Sequence, residues 1–376
     1  MLYRNNLAFY IIHYLIMRLP KPNKIVTEKY IAGLSRFKQK PIKMKLSANE
    51  SALGPSPKAI KEYLKVSKNL KRYPESDGTY LKSVLANKFN LDKNRIILGS
   101  GSDQIFEFIC KTYLKKGDEV IVPKFSFIIY RIYSKMNGAK VIYANENKFI
   151  VSVENIIKKV NKKTKIVFLA NPNNPTGTFI NKKKLFYLRK KLRSDILLVL
   201  DDAYYEYVES KDYSSALSLF SNYKNVLVTR TFSKIYGLAG LRVGWGYASK
   251  NIIKALNQVK PPFNISRPAL FTACAAVKDK KWLKKEIKHV NKWNSIMFKK
   301  FEKMNIITNK SFANFLLLNF DRVKIKSSKV FKILANSGIL VRKMDVYNIK
   351  NSLRITIGKS QENKKLISRI EKIFNV

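Results

Sequence analysis

Acidic side chains are scarce in this chain. Only 25 Asp+Glu stand against 74 Lys+Arg, for a formal net charge of +49. Such a balance invites a nucleic-acid reading. The lysines, however, are spread through every segment and gather in no single arm or helix. Runs such as Lys182-Lys183-Lys184 and Lys278 to Lys288 read as solvated helix faces, so no specific nucleic-acid partner is expected. Histidine is rarer still. His13 and His289 lack metal-ligand spacing, which argues against a histidine-based hydrolase and against a metal site. The two cysteines, Cys110 and Cys274, cannot build a disulfide framework or a zinc site, and they fit a reducing compartment. A cytoplasmic protein is expected. Long apolar runs are also missing. Leu7 to Met17 falls short of the ~20 residues a membrane span needs, and no small-residue cleavage site follows it. Residues 1–17 are read as an N-terminal extension, with Met17 an alternative start, and no membrane association is expected. No repeat or low-complexity tract is present.

Hydrophobic residues make up 46% of the chain and aromatic residues 12%. Over 376 residues that supports a large core and two domains. Residues 18–45 are basic and proline-punctuated, an arm over the surface. At Gly54-Pro55-Ser56-Pro57 the chain turns, and Ser56 is placed to cap a helix with Pro57 at its first position. A second helix is expected over 79–90. From there strands and helices alternate. Strands are read at 95–99, 119–122, 140–143, 165–170, 196–200 and 226–229, with helices between them. This is the pattern of an α/β, mostly parallel sheet, which binds ligands at the carboxyl ends of its strands. After Pro261-Pro262 the pattern changes. A basic helical region over 268–304 and short strands at 315–319, 339–342 and 353–357 suggest a smaller α+β domain.

The polar residues of interest fall at those strand ends. Gly101, Ser102 and Asp103 lie between a strand and an apolar helix, where free N–H groups and the helix dipole make an anion site. Asn174 sits in a loop stiffened by Pro172 and Pro175. Asp201 ends a buried apolar strand, which is costly without a partner, and Tyr204 follows it. The stretch Thr231 to Gly246, TFSKIYGLAGLRVGWG, sets Lys234 beside Thr231 and Ser233, with Arg242 close behind. A lysine among small and hydroxylated residues suits an amine that forms a Schiff base. The hydroxyls and the arginine suit a phosphate next to it. Pyridoxal phosphate offers both an aldehyde and a phosphate.

Seven segments in one order, SANESALGPSP, RYP, ILGSGSDQ, NPNNPTG, LDDAYYEY, RTFSKIYGLAGLRVGWG and LRITIG, resemble the landmarks of the fold type I pyridoxal-phosphate aminotransferases. Within them the chain is similar to the histidinol-phosphate aminotransferases, from about Lys45 to the C-terminus. The resemblance implies a large domain with a mostly parallel seven-stranded sheet between helices and a smaller α+β domain. It implies an arm and part of the small domain over 18–60, a cofactor-binding domain over 61–267, a small domain over 268–376, and a homodimer.

It also implies roles. Lys234 would hold the cofactor and move the substrate's Cα proton, and Asp201 would pair with the protonated pyridine nitrogen. Asn174 and Tyr204 would bond the ring's 3′ oxygen. Gly101, Ser102, Asp103, Thr231, Ser233 and Arg242 would cup the phosphate, with Tyr73 reaching it from the partner subunit. Phe125 sits where the family stacks an aromatic on the ring, with Phe127 its rival in the run FSF. Arg354 and Arg342 would bind the substrate's carboxylate or phosphate, and Asn174 would border the same space. Asp202 stands where the family has glutamate. The reaction implied is L-histidinol phosphate plus 2-oxoglutarate to imidazole acetol phosphate plus L-glutamate, in histidine biosynthesis. An aromatic amino-acid aminotransferase and a threonine-phosphate decarboxylase share most of these landmarks and stay open as alternatives.

Overall fold

A computed structural model describes residues 27, 28, 30, 37, 41–307 and 309–375. The N-terminal extension over 1–17 lies outside them. Strand β1 is Met44–Lys45, β2 is Ile96–Gly99, β3 is Glu119–Pro123, β4 is Lys140–Ala144, β5 is Thr164–Ala170 and β6 is Leu197–Asp201. They are followed by β7 at Val226–Thr231, β8 at Gly244–Tyr247, β9 at Phe315–Asn319, β10 at Ile339–Leu340, β11 at Arg342–Lys343 and β12 at Ser352–Thr356.

The central sheet has seven strands in the order β2-β8-β7-β6-β5-β3-β4. All its pairings are parallel except those of β8, which runs antiparallel to both neighbours. The mostly parallel α/β sheet expected from the sequence is therefore present. β6 is buried at every residue and β5 at all but Lys165. Strands covered on both faces read as continuous apolar runs, which is why both were visible in the sequence. β8 was not. Its sequence GWGY carries two glycines, and β propensity is weak there. The glycines have a packing reason: a Cβ at Gly244 would collide with the backbone nitrogen of Ser102, and one at Gly246 would press on Ile97.

Local signals set several boundaries as read. The helix Pro57–Ser67 starts at Pro57, and Ser56 Oγ accepts from Ala59 N at 3.1 Å. The basic region over 268–304 is two helices, not one. Arg267–Lys278 and Lys280–Lys303 are separated by Asp279, whose backbone leaves the helical region and whose carboxylate accepts from Trp282 N at 3.3 Å. Its lysines 278, 280, 281, 284, 285 and 288 face solvent, while Glu286 points inward.

A second sheet, β11-β12-β9, is antiparallel. β1 pairs in parallel with β10, so the chain near residue 45 belongs to the same body as the C-terminal strands. From there residues 46–54 cross as a strap toward the carboxyl ends of the central sheet. Glu286, 0% exposed, holds the strap from below. It accepts from Ser51 Oγ at 2.9 Å and from Ala52 N and Leu53 N at 3.1 Å each. Among the described residues no helix is long and apolar enough to cross a membrane, and no cluster of His, Cys, Asp and Glu could hold a metal.

Candidate active site

The carboxyl ends of β5, β6 and β7 open into a cavity of about 280 Å³, roofed by the strap and by β11 and β12. Ser102, Asp103, Asn174, Asp201, Tyr204, Thr231, Ser233, Lys234, Arg242, Arg342 and Arg354 all line it. These residues span more than half the chain. The sheet topology brings them together because each follows a strand of one sheet or lies on the facing small sheet.

At the floor, Asp201 is buried and both its oxygens are engaged. Tyr130 donates to Oδ2 at 2.7 Å and Thr229 to Oδ1 at 3.2 Å. Burial pushes the carboxyl up to about 6, and these two hydrogen bonds oppose that. Asp202 behaves differently. It faces away, caps the helix Ala216–Phe220 through Ala216 N at 3.1 Å, and lies 3.6 Å from Arg230. Its shorter side chain still finds charge and hydrogen-bond partners.

Lys234 stands in the wall, its Nζ 3.5 Å from the carbonyl of Ala48. Burial, with Arg354 and Arg242 nearby, lowers its amine to about 8. A neutral fraction of roughly a tenth at pH 7, far above that of an ordinary lysine, makes it a usable nucleophile and base. Tyr204 is buried, and its hydroxyl accepts from Asn49 Nδ2 at 3.0 Å, so its own proton is free to point into the cavity. Burial pushes this phenol up to about 12.

One end of the cavity gathers groups that suit an anion. The helix Ser102–Tyr113 begins there with Gly101 as its N-cap and no side-chain cap. Arg242 Nη1 donates to Ser233 Oγ at 3.2 Å, and Nη2 lies 3.4 Å from Asp103 Oδ2. Thr231 Oγ1 accepts from Ser233 N at 3.1 Å. A Cβ on Gly101, whose φ is +80°, would collide with the Arg242 guanidinium. Glycine is needed here both for the backbone and for the approach of that cation.

The other end is cationic. Arg354 is buried; Nη1 donates to Asn174 Oδ1 at 2.6 Å and Nη2 to the carbonyl of Ser47 at 3.2 Å. Its Nε is buried and has no hydrogen-bond partner among the described residues. Arg342, also buried, lies beside it, and burial lowers its guanidinium.

Three residues lie elsewhere or alter the picture. Phe127 borders the cavity; Phe125 does not, and packs on Phe149 at 5.7 Å. Tyr73 is on the surface, 79% exposed and stacked on Phe263 at 4.8 Å. Sequence reasoning did not single out Asn49, Tyr30 and Tyr347, which also border the cavity. Asn49 lay inside the SANES segment without an assigned role. Tyr30 and Tyr347 carry no local pattern at all.

An uncapped helix N-terminus with hydroxyls and Arg242, a lysine of lowered pKa, a buried aspartate and an orphaned arginine nitrogen fit pyridoxal phosphate and an anionic substrate.

The comparisons with known proteins agree. The family model described as aminotransferase class I and II matches residues 41–370. A histidinol-phosphate aminotransferase of Pelagibacter ubique (strain HTCC1062) is 50% identical over 361 residues, covering 96% of this chain and 100% of the relative. One of Rhodopseudomonas palustris (strain BisB18) is 38% identical over 354 residues, 94% and 97% of the two chains. Among solved structures, histidinol-phosphate aminotransferase from Sinorhizobium meliloti in complex with pyridoxal-5′-phosphate superposes with a TM-score of 0.83 at 23% identity, covering 89% of this chain and 91% of that one. A Thermus thermophilus aspartate aminotransferase gives 0.79 at 19%, covering 91% and 100%. These two likenesses speak to fold alone. With a family match over most of its length and a relative at 50% identity, the chain belongs to the class I and II aminotransferases.

Proposed function

We propose that the chain interconverts L-histidinol phosphate plus 2-oxoglutarate with imidazole acetol phosphate plus L-glutamate, a step of histidine biosynthesis, with pyridoxal phosphate as cofactor. The observation that carries this reading is the buried pair Arg342 and Arg354 lining a cavity that also gathers Ser102, Thr231, Ser233 and Arg242. One site must take a phosphate monoester and a dicarboxylate in turn. Two arginine forks serve that need where one cannot. The names of the relatives at 50% and 38% identity support the same substrate.

When bound, pyridoxal phosphate supplies an aldehyde that accepts the amino group and a protonated ring that withdraws electrons. The uncapped helix at Ser102, with Gly101, Asp103, Thr231, Ser233 and Arg242, would hold its phosphate. Asp201 would face the ring nitrogen, and a carboxylate there keeps that nitrogen protonated. Asn174 and Tyr204 would donate to the ring's 3′ oxygen. Phe127 would cover the ring face in place of Phe125, since Phe127 is the one on the cavity wall. Lys234 Nζ would attach the cofactor and then carry the proton to and from the substrate's Cα. Arg354 would fork onto a carboxylate or phosphate oxygen through its open Nε, and Arg342 would take the second anion. The strap and Tyr30 border the same cavity.

The wider setting is part of the same reading: a cytoplasmic homodimer, with an arm and part of the small domain over 18–60, a cofactor domain over 61–267 and a small domain over 268–376. Tyr73, Leu70, Leu64 and Ile60 are exposed, and a second copy would cover such side chains and let Tyr73 reach the neighbouring phosphate cup. Sedimentation velocity tests the dimer.

The deciding experiment is single-turnover transfer from a panel of amino donors to the bound cofactor. Histidinol phosphate should exceed phenylalanine and tyrosine in kcat/KM. A preference for the aromatic donors would favour an aromatic aminotransferase, and release of carbon dioxide from a phospho-amino acid would favour a decarboxylase.

A further inference from the structure

The helix Ile128–Met136 brings one more group to the site. Tyr130 is fully buried, and its hydroxyl reaches Asp201 Oδ2 at 2.7 Å. Thr229, paired with Asp201 across β6 and β7, takes the other oxygen. An ionised carboxylate has about four lone-pair positions, so two donors from behind leave room for one from the cavity. The Tyr130 ring cannot swing aside. It lies flat on Phe168 at 5.0 Å and 4°, with the edges of Phe106 at 4.9 Å and Phe127 at 5.7 Å against it. Phe127, on the cavity wall, precedes Tyr130 by three residues. One helical turn therefore supplies both a wall of the cavity and the hydroxyl behind its acid.

Packing alone does not call for that hydroxyl. Phenylalanine would fill the same aromatic cluster without burying a polar group. We propose that Tyr130 is a positioning residue for the reaction, its hydroxyl locking the Asp201 carboxylate in the rotamer that presents its free lone pairs to the cofactor's ring nitrogen. This rests on the reading of Asp201 as that nitrogen's partner.

The electrostatics run the same way. Burial and the proximity of Asp201 push the Tyr130 phenol well above its ordinary value, so it remains a donor. Its hydrogen bond opposes the upward push of burial on Asp201, and Asp202 beside it and Asp103 on the helix at Ser102 add to that push. Tyr204 is the other titratable group facing it, and β7 contributes the Thr229 hydroxyl. Without the Tyr130 donor the carboxyl becomes harder to ionise and free to rotate.

The test uses the holoenzyme carrying cofactor labelled at the ring nitrogen. Tyr130→Phe should lower the pH at which that nitrogen loses its proton by about one unit. It should weaken cofactor affinity and kcat by roughly ten- to a hundredfold, the range for a hydrogen bond to a charged group, with little change in KM. A fluorinated tyrosine at 130, a stronger donor of nearly the same shape, should move the nitrogen's titration the opposite way. In an Asp201→Asn background, Tyr130→Phe should cost nothing further. An unmoved titration in both position-130 variants, or a full additional loss in the Asp201→Asn background, would overturn the role of Tyr130 while leaving that of Asp201 intact. If Asp201→Asn itself leaves the nitrogen's titration where it was, the reading of Asp201 is what fails.

Discussion

Arg342 and Arg354 stand directly opposite one another on the β11–β12 ladder, and both are buried at the cavity. Like charges at opposed positions of an antiparallel pair destabilise each other. Burial adds to the cost, and burial first, with Arg354 nearby, lowers the proton affinity of Arg342. An anion between them relieves the repulsion, so the ladder is arranged for ligands of more than one negative charge. Arg342→Ala should therefore reduce kcat/KM for histidinol phosphate and glutamate by about ten- to a hundredfold, but that for phenylalanine only slightly. Arg354→Lys should weaken both half-reactions, because a point charge replaces a fork. Equal losses for all donors in Arg342→Ala would refute the division of labour.

Lys234→Ala removes the only lysine on the cavity wall among the described residues. Turnover should fall by about a thousandfold or more, since nucleophile and proton carrier go together. The visible absorbance of the covalently attached cofactor should disappear as well. Its persistence in the purified variant would show that another amine holds the cofactor.

Asp201 makes a prediction about the cofactor-free protein. Its carboxyl titrates at about 6 when folded and near 3.8 otherwise. Between those values the folded state binds the extra proton, so this group's contribution to stability falls as pH rises from about 3.8 to about 6 and is level outside that window. Asp201→Asn should thus stabilise the cofactor-free protein at pH 7 by on the order of 1–3 kcal/mol, a gain that vanishes at acid pH. Denaturant unfolding of both proteins across that range reads it; a gain independent of pH contradicts it. In the loaded enzyme, Asp201→Ala should instead slow Cα proton removal by orders of magnitude in single-turnover measurements.

Glu286 holds three donors of the strap from a site with no solvent access. Glu286→Ala orphans them all, and a loss of about 3 kcal/mol or more is expected. Because Asn49 and Ala48 ride on that strap, protease sensitivity over 46–54 should rise with it. A variant as stable and as resistant as the parent would make the strap independent of Glu286.

The surplus of positive charge should give only weak, salt-sensitive attraction to nucleic acid. Counterion release predicts a steep fall in affinity as salt rises. Retention of sequence-selective binding at physiological salt would show a second function on the lysine-rich faces.

Much of this architecture was legible in the chain itself. β5 and β6 are buried on both faces, so their apolar runs announce them, and Asp201 and Asn174 follow directly at their carboxyl ends. The cap at Ser56, the Gly/Ser turn at 100–103 and the cluster around Lys234 are likewise local, each specified by neighbours a few residues away, although the helix read from Gln104 begins at Ser102. Tertiary structure decided the rest. Phe125 and Phe127 both suit an aromatic wall, and only the direction of the helix at Ile128 puts Phe127 on the cavity. Asn49 bonds Tyr204 across 155 residues, and Asn49 N reaches Thr356 across 307. Arg342 meets Arg354 through the register of a two-residue strand. Such contacts depend on how separate elements pack, and packing leaves no periodic trace in sequence. The chain by itself pointed to most of the charged and hydroxylated groups that line the cavity. Their orientation, the hydroxyl behind Asp201 and the strap above Lys234 came only with burial, where each polar atom must find a partner from a distant part of the chain.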